Sequence, residues 1–190
     1  MPKAARINQA TIARGVALIL QGIGADLKDP NFRGTPARVA RMYAELLTPT
    51  PSSWNSFPAE SSDIIMLRGH RVVGICPHHL LPVSYRCTVG YIPDHLTVGL
   101  SKLARVVEQQ CIRPILQEDL ANHTAMMLEE KLRPKGVGVV LMGTHGCMTF
   151  RGVRTHGDIV SSVMRGILHT DSAARAEFLQ LATMQHRQAG

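Results

Sequence analysis

Aromatic residues are scarce in this sequence, where they make up only 4% of 190 residues. A core built from this composition must be aliphatic, and a surface that stacks single-stranded bases is disfavoured. The sequence also has no internal repeat, no low-complexity tract and no run of five or more basic residues. Its formal charge of +7 is therefore scattered, and it favours an anionic partner, either a polyphosphate or a nucleic acid.

The sequence shows no signal-peptide pattern, and its apolar run at residues 16–20 is too short to cross a bilayer. Four cysteines are present, which is enough for two disulfides; they are Cys76, Cys87, Cys111 and Cys147. Disulfides are rare in the reducing cytoplasm. We therefore expect free thiols in a cytoplasmic protein that has no membrane partner.

A hydrophobic content of 45% indicates a globular chain with a substantial core. Apolar periodicity predicts helices at 7–24, from Thr35 onward, and at 101–112, 117–132 and 171–185, with Thr35 and Ser101 as caps. Apolar β-type runs predict strands at 64–67 and 72–75 around a turn at Gly69, and at 87–92, 136–142 and 147–153. We predict an α+β fold, an antiparallel sheet backed by two helices. An N-terminal helical segment and linker should span 1–62, and a second domain 63–190.

Two short segments carry a high concentration of thiols and imidazoles, at residues 76–79 and 145–147. Cys76 and His79 are three residues apart after a predicted strand, so a turn between them lets both side chains converge. Cys147 can then join them from the second segment. Three such ligands leave the fourth position of a tetrahedral zinc site open for water, which is typical of catalytic zinc.

Two further histidines, His78 and His145, belong to the same segments. They would flank the metal as general acid and base groups, because imidazole titrates near neutral pH. The alternative interpretation is that all of these residues are ordinary buried cysteines and satisfied histidines.

A second cluster combines cations with the start of a predicted helix. Lys102 and Arg105 lie three residues apart in its first turn, and Ser101 lies beside them. Helix N–H groups, a lysine and an arginine together suit a phosphate. Cations in a first turn oppose the helix dipole, which favours a role in ligand binding. Arg151 follows the second thiol segment, so we expect its cation near the metal.

These residues belong to a series of ordered motifs that covers the chain from about Phe32 to Phe178. In order, they are Thr35-Pro36-Ala37-Arg38-Val39-Ala40, Cys76-Pro77-His78-His79-Leu80-Leu81-Pro82, Tyr91-Ile92-Pro93, Gly99-Leu100-Ser101-Lys102-Leu103-Ala104-Arg105, Gln117-Glu118, His145-Gly146-Cys147-Met148 and Arg151-Gly152-Val153. The series resembles GTP cyclohydrolase I. Several motifs at matching separations are far more specific than any one alone.

The resemblance implies a metal-binding set, a proton-transfer set and a substrate-binding set. The ligands of Zn²⁺ would be Cys76, His79 and Cys147. The proton carriers would be His78 and His145, with Ser101 at the ribose. The substrate-binding residues would be Glu118 and Gln117 at the guanine, and Lys102, Arg105, Arg151 and, from a neighbouring subunit, Arg38 at the triphosphate.

The resemblance also implies a reaction and an assembly. The imidazole ring of GTP is opened, formate leaves, and the remainder rearranges to 7,8-dihydroneopterin triphosphate. The fold is the tunnelling fold, in which strands from several subunits close a barrel with sites between subunits. The expected homo-oligomer is a toroidal decamer of two pentamers, with GTP rather than nucleic acid as its partner.

The sequence departs from this family at three places. Pro77 stands where the family has glutamate, the segment Val83–Cys87 lacks the usual glycine, and residues 155–162 replace a stretch rich in threonine and serine. These departures support a first alternative, a paralogue that acts on another purine or pterin. The charge of +7 supports a second, a metal-stabilised nucleic-acid-binding module without catalysis.

Overall fold

The computed structural model describes residues 7–48, 50–51 and 53–184, and the chain divides into two compact units, Met1–Pro49 and Thr50–Gly190. The stretch 48–62, expected to be a linker, contains a short strand, β1 (Ser56–Pro58). This strand pairs antiparallel with β4 (Leu96–Val98) inside the second unit.

The described residues of the N-terminal unit form three helices, α1 (Gln9–Gly22), α2 (Pro30–Arg33) and α3 (Thr35–Leu47). The helix predicted at 7–24 is thus confirmed, whereas the short α2 was not predicted. Thr35 does not cap α3, because Gly34 occupies the cap position and Thr35 already lies within the helix. Its hydroxyl instead donates to the Asn31 carbonyl at 3.3 Å, so it ties α3 to α2.

The second unit is built on a four-stranded antiparallel sheet in the order β2-β3-β5-β6. Its strands are β2 (Ile65–Ile75), β3 (Pro82–Ile92), β5 (Gly136–His145) and β6 (Ile159–Gly166). Its helices are α4 (Leu100–Glu108), α5 (Gln117–Leu132), α6 (Gly146–Thr149), α7 (Ile167–Thr170) and α8 (Ser172–Thr183). The predicted α+β class, with an antiparallel sheet and helices against it, is confirmed.

The core of this unit lies between one face of the sheet and the helices α4 and α5. Alternate residues of β3 from Val83 to Val89 are buried, and they join Leu103 of α4 and Leu120 and Leu128 of α5 in one cluster. Alternation with period two is what a sheet with one covered face requires. The cluster is mainly aliphatic, as the composition predicts. No helix in the described part of the chain is long and apolar enough to span a bilayer.

Three further local predictions were wrong. Residues 65–75 form one strand rather than two, because a bulge between Leu67 and His70 absorbs Gly69, whose φ is +68°. Ser101 does not cap α4, since Gly99 holds that position. The strand predicted at 147–153 is instead the single-turn α6 and a loop, because the chain must reverse after β5 before β6 can pair with it antiparallel.

Candidate metal centre and active site

The two thiol segments meet at one end of the sheet because of strand register. Ile75 pairs with Pro82 across β2 and β3, and Val83 pairs with His145 across β3 and β5. The connection at residues 76–81 and the chain that follows β5 are therefore neighbours. Antiparallel pairing thus accounts for the convergence of residues far apart in sequence.

The connection at 76–81 is one tight turn held by two backbone hydrogen bonds. The Leu80 N–H donates to the Cys76 carbonyl, and the Cys76 N–H donates to the Leu81 carbonyl, both at 2.9 Å. Within one helical turn, residues three apart lie on the same side, which places Cys76 and His79 together. Pro77 is compatible with this turn, because neither bond needs its missing N–H. Leu80 ends the turn with φ +54°.

Cys147 reaches the same place from α6. A side chain at Gly146 would put its Cβ 2.9 Å from the Pro82 carbonyl oxygen, so only glycine allows this close approach to β3. The Thr149 hydroxyl donates to the His145 carbonyl at 3.0 Å, which fixes the turn. Cys147 then presents its thiol to the 76–81 connection.

The three donor atoms of Cys76, His79 and Cys147 all lie within 4.8 Å of one another. Cys76 is buried, Cys147 is partly buried and His79 is exposed, so the group opens to solvent on one side. Thiolate and imidazole donors suit a divalent transition metal rather than Mg²⁺ or Ca²⁺. This group can therefore hold a metal; the role of each residue as a ligand stays a prediction.

Groups around the metal-binding set affect the pKa of the Cys147 thiol and contact the His79 imidazole. Burial and the neighbouring Cys76 raise the pKa of Cys147, whereas Arg151 opposes that shift. Arg151 Nη1 lies 2.6 Å from His79 Nε2. Since a guanidinium can only donate, His79 Nε2 is the acceptor in this contact. The expectation that Arg151 lies close to the metal group is confirmed.

His145 and Gln117 form the second part of the site. Gln117, the first residue of α5, is only 2% exposed, and its Nε2 lies within hydrogen-bond distance of the Leu141 carbonyl at 3.2 Å, the Ile159 carbonyl at 2.9 Å and the Ser161 hydroxyl at 3.1 Å. These acceptors leave Gln117 Oε1 to accept from His145 Nε2–H at 2.8 Å. Gln117 thus links β5, β6 and His145.

Burial lowers the pKa of His145, and the carboxylate of Glu118 partly opposes this shift. His145 is therefore neutral near pH 7, and it carries its proton on Nε2, which donates to Gln117 Oε1. His78 is exposed, with its Nδ1 4.0 Å from the Cys76 sulfur. The structure thus places His78 beside one member of the metal group, whereas the His145 side chain contacts Gln117 and Tyr85.

The remaining predicted site residues lie elsewhere on the described chain. Ser101 is exposed near the start of α4, whereas Lys102 and Arg105 are partly buried there, and no described hydrogen bond or ion pair joins these three to the metal group. Glu118 is exposed in the first turn of α5. Arg38 belongs to the N-terminal unit, where its Nη2 donates to the Asn31 carbonyl and the Thr35 hydroxyl.

The sequence analysis missed one residue of this site, Tyr85. Its ring contacts the His145 ring edge to face, with ring centres 6.0 Å apart. The signal that could have identified it is a pair of glycines, Gly74 and Gly143, which leave space for a large ring on the strand between them.

Comparison with known proteins adds independent findings. Among solved structures, the archaeosine synthase QueF-Like in the apo form aligns with a TM-score of 0.47 and 20% identity, covering 56% of this chain and 97% of that one. The GTP cyclohydrolase 1 of Rhodopirellula baltica is 40% identical over 92% of this chain and 79% of its own length. That of Pelotomaculum thermopropionicum is 41% identical over 92% and 96%. The profile described as GTP cyclohydrolase I matches residues 12–183, and the chain belongs to that family.

Proposed function

We propose that this protein is a zinc-dependent GTP cyclohydrolase I. It opens the imidazole ring of GTP, releases C8 as formate and converts the remainder to 7,8-dihydroneopterin triphosphate. One observation carries the proposal: Cys76, His79 and Cys147 converge in a chain of this family, with two histidines in the same two segments. The family match favours this activity over a non-catalytic nucleic-acid-binding module.

Zinc fits the donor set of Cys76, His79 and Cys147. Tetrahedral ligands of Zn²⁺ at about 2.0–2.3 Å lie about 3.5–3.8 Å apart, and these donors lie within 4.8 Å of one another, so a small closure suffices. Three protein donors, two of them soft thiolates, match a catalytic zinc site. Such a metal, when bound, supplies a Lewis acid that activates water for attack on the purine ring.

The two histidines move protons at this site. His145, kept neutral by burial, holds one proton on Nε2 toward Gln117 and has its Nδ1 free to accept another. His78 is exposed beside Cys76 and can exchange its proton with solvent. Ring opening and reclosure both require proton delivery and removal, and two imidazoles can divide these tasks.

The substrate is held at both of its ends. Glu118, exposed at the start of α5, accepts from the ring N–H and amino group of guanine. Lys102, Arg105 and Arg151 neutralise the triphosphate, and Ser101 contacts the ribose. Gln117 supports Glu118 through position rather than contact, because its own side-chain amide is committed within the fold.

The proposal includes a homo-oligomer and a cytoplasmic location. A toroidal decamer of tunnelling-fold subunits would let Arg38 of one subunit reach the triphosphate bound by another. Arg38 is exposed, and among the described residues of its own unit its guanidinium donates to two neutral acceptors, so it retains donors for a phosphate. Sedimentation velocity on the purified chain measures the assembly directly.

The test of activity uses the purified chain with stoichiometric zinc and GTP. Formate should appear together with the near-ultraviolet absorbance of a dihydropterin, and ATP should give neither. His78→Ala should keep its zinc and lose turnover, since it removes a proton carrier and no metal donor. Absence of both products from zinc-loaded protein would rule out this function, and turnover of a different purine instead would support the paralogue.

A further inference from the structure

Tyr85 occupies a slot between two neighbouring strands. It lies on β3, is 2% exposed, and its ring stands between Gly74 of β2 and Gly143 of β5. A Cβ at Gly74 would lie 2.7 Å from Tyr85 Cε2, and one at Gly143 would lie 2.9 Å from Cε1. Any larger residue on either side would displace the ring. The ring is therefore held from both edges and has one available position.

This fixed ring contacts the part of the site that carries His145. The two rings meet at 88° with centres 6.0 Å apart, which is the favourable edge-to-face geometry. Gln117 Oε1 crowds the same space at Gly143 and accepts from His145 Nε2. The imidazole is thus constrained by the hydrogen bond that its Nε2–H donates to Gln117 and by the Tyr85 ring.

The hydroxyl of Tyr85 takes no visible part in this arrangement. It is buried and has no hydrogen-bond partner among the residues described by the structure. Burial, reinforced by Cys111 and Cys76, raises its pKa, so the hydroxyl stays protonated and neutral near pH 7. The ring alone makes the contact with His145.

We propose that Tyr85 is a positioning residue, whose ring fixes the orientation of His145 for proton transfer. The proposal rests on the proposed cyclohydrolase activity, in which His145 carries a proton. A residue that only filled the core would affect stability without a selective effect on turnover. A residue that orients an imidazole affects kcat, because a displaced acid or base loses reach while substrate binding is untouched.

The experiment compares three variants and one control in the zinc-loaded enzyme. Tyr85→Leu removes the ring and should lower kcat about 10- to 100-fold with KM within about twofold. Tyr85→Phe keeps the ring and should restore kcat to near the wild-type value. Gly74→Ala adds a methyl group on the β2 side of the ring, whereas His145 lies on β5. The added group should displace the ring and thereby also lower kcat. The control Tyr91→Leu changes a fully buried tyrosine of the same strand and should lower the melting temperature while leaving kcat unchanged.

A double variant separates positioning from packing. If Gly74→Ala acts through the ring, it should have no further effect on kcat in the Tyr85→Leu background. Zinc content and melting temperature are measured for every variant, so loss of metal or fold is recognised. Should Tyr85→Leu fail to fold, Gly74→Ala and Tyr85→Phe still test the idea. Wild-type kcat in Gly74→Ala, or equal losses in Tyr85→Phe and Tyr85→Leu, would overturn the inference, whereas inactivity of the wild type would overturn the proposed function instead.

Discussion

Gln117 offers the sharpest test of how the fold supports the site. Replacing it with methionine keeps the length and approximate volume of the side chain but deletes its amide. The Leu141 and Ile159 carbonyls and the Ser161 hydroxyl then lose a donor, and His145 loses the acceptor at 2.8 Å. At 2% exposure no water can easily replace that amide.

The magnitude follows from the number of groups left without a partner. Each buried polar group that loses its partner costs about 1–3 kcal/mol, and a carbonyl with a second lone pair falls at the low end. The amide of Gln117 has only two protons for its three acceptors, so two donated bonds and the one accepted from His145 are lost. At the low end of about 1 kcal/mol each, Gln117→Met should lower the free energy of unfolding by about 3 kcal/mol. With a urea slope of about 2 kcal/mol per molar, the unfolding midpoint moves down by about 1.5 M.

Urea titration followed by circular dichroism measures this shift, at one protein concentration because an oligomer's stability depends on it. The matched control is Glu118→Gln, the next residue of α5, which is exposed and should unfold like the wild type while binding GTP more weakly. If Gln117→Met unfolded within about 0.5 kcal/mol of the wild type and only weakened GTP binding, the side chain would be a substrate contact and the reasoning would be refuted.

Three further changes have defined outcomes. Cys147→Ala removes one of three metal donors, so zinc measured by atomic emission should be lost together with turnover; one retained zinc per chain would contradict the ligand assignment. Tyr91→Phe deletes the hydroxyl that accepts from the Val98 N–H at 3.1 Å, which should cost about 1–3 kcal/mol in urea titrations, and an unchanged midpoint would contradict that bond. Burial raises the pKa of Cys111 from 9.0 to about 12, and also that of Cys87. The folded chain therefore keeps protons that the unfolded chain releases, so stability should fall as pH rises above 9.0, by about 1.4 kcal/mol per thiol at about pH 10. Cys111→Ala should show a smaller fall between about pH 8 and about pH 10, and an equal fall would refute the assignment.

The convergence of the metal group could be predicted from sequence because it depends on short-range rules. Only a turn is required to bring the side chains of Cys76 and His79 together, and Pro77, directly after a predicted strand, indicates such a turn. Cys147 required the further step that two distant segments share a metal, which thiol and imidazole chemistry supplies. The helix at 117–132 was predicted to the residue, because its apolar pattern is long and uninterrupted.

The features that could not be predicted depend on tertiary contacts, which override the local preferences of the sequence. Thr35 and Ser101 are good capping residues, yet the chain enters both helices one or two residues earlier, so glycines take the cap positions. Gln117 has the pattern of an ordinary first-turn residue; that its amide joins two strands and His145 follows only from the packing of α5 on the sheet. Long-range partners leave no local periodicity.

The pairing of a large ring with glycine also explains why the site forms in one register. Tyr85 lies directly opposite Gly143, and a slip of β5 by two residues would place Leu141 or His145 there instead. Either side chain would collide with the ring, whereas a slip by one residue would turn His145 to the other face of the sheet. The register that accommodates Tyr85 is therefore the one that brings the end of β5, and with it Cys147, beside the connection at 76–81. A substitution at Gly143 should accordingly affect zinc content and turnover together, although residue 143 contacts neither metal nor substrate in the proposed mechanism.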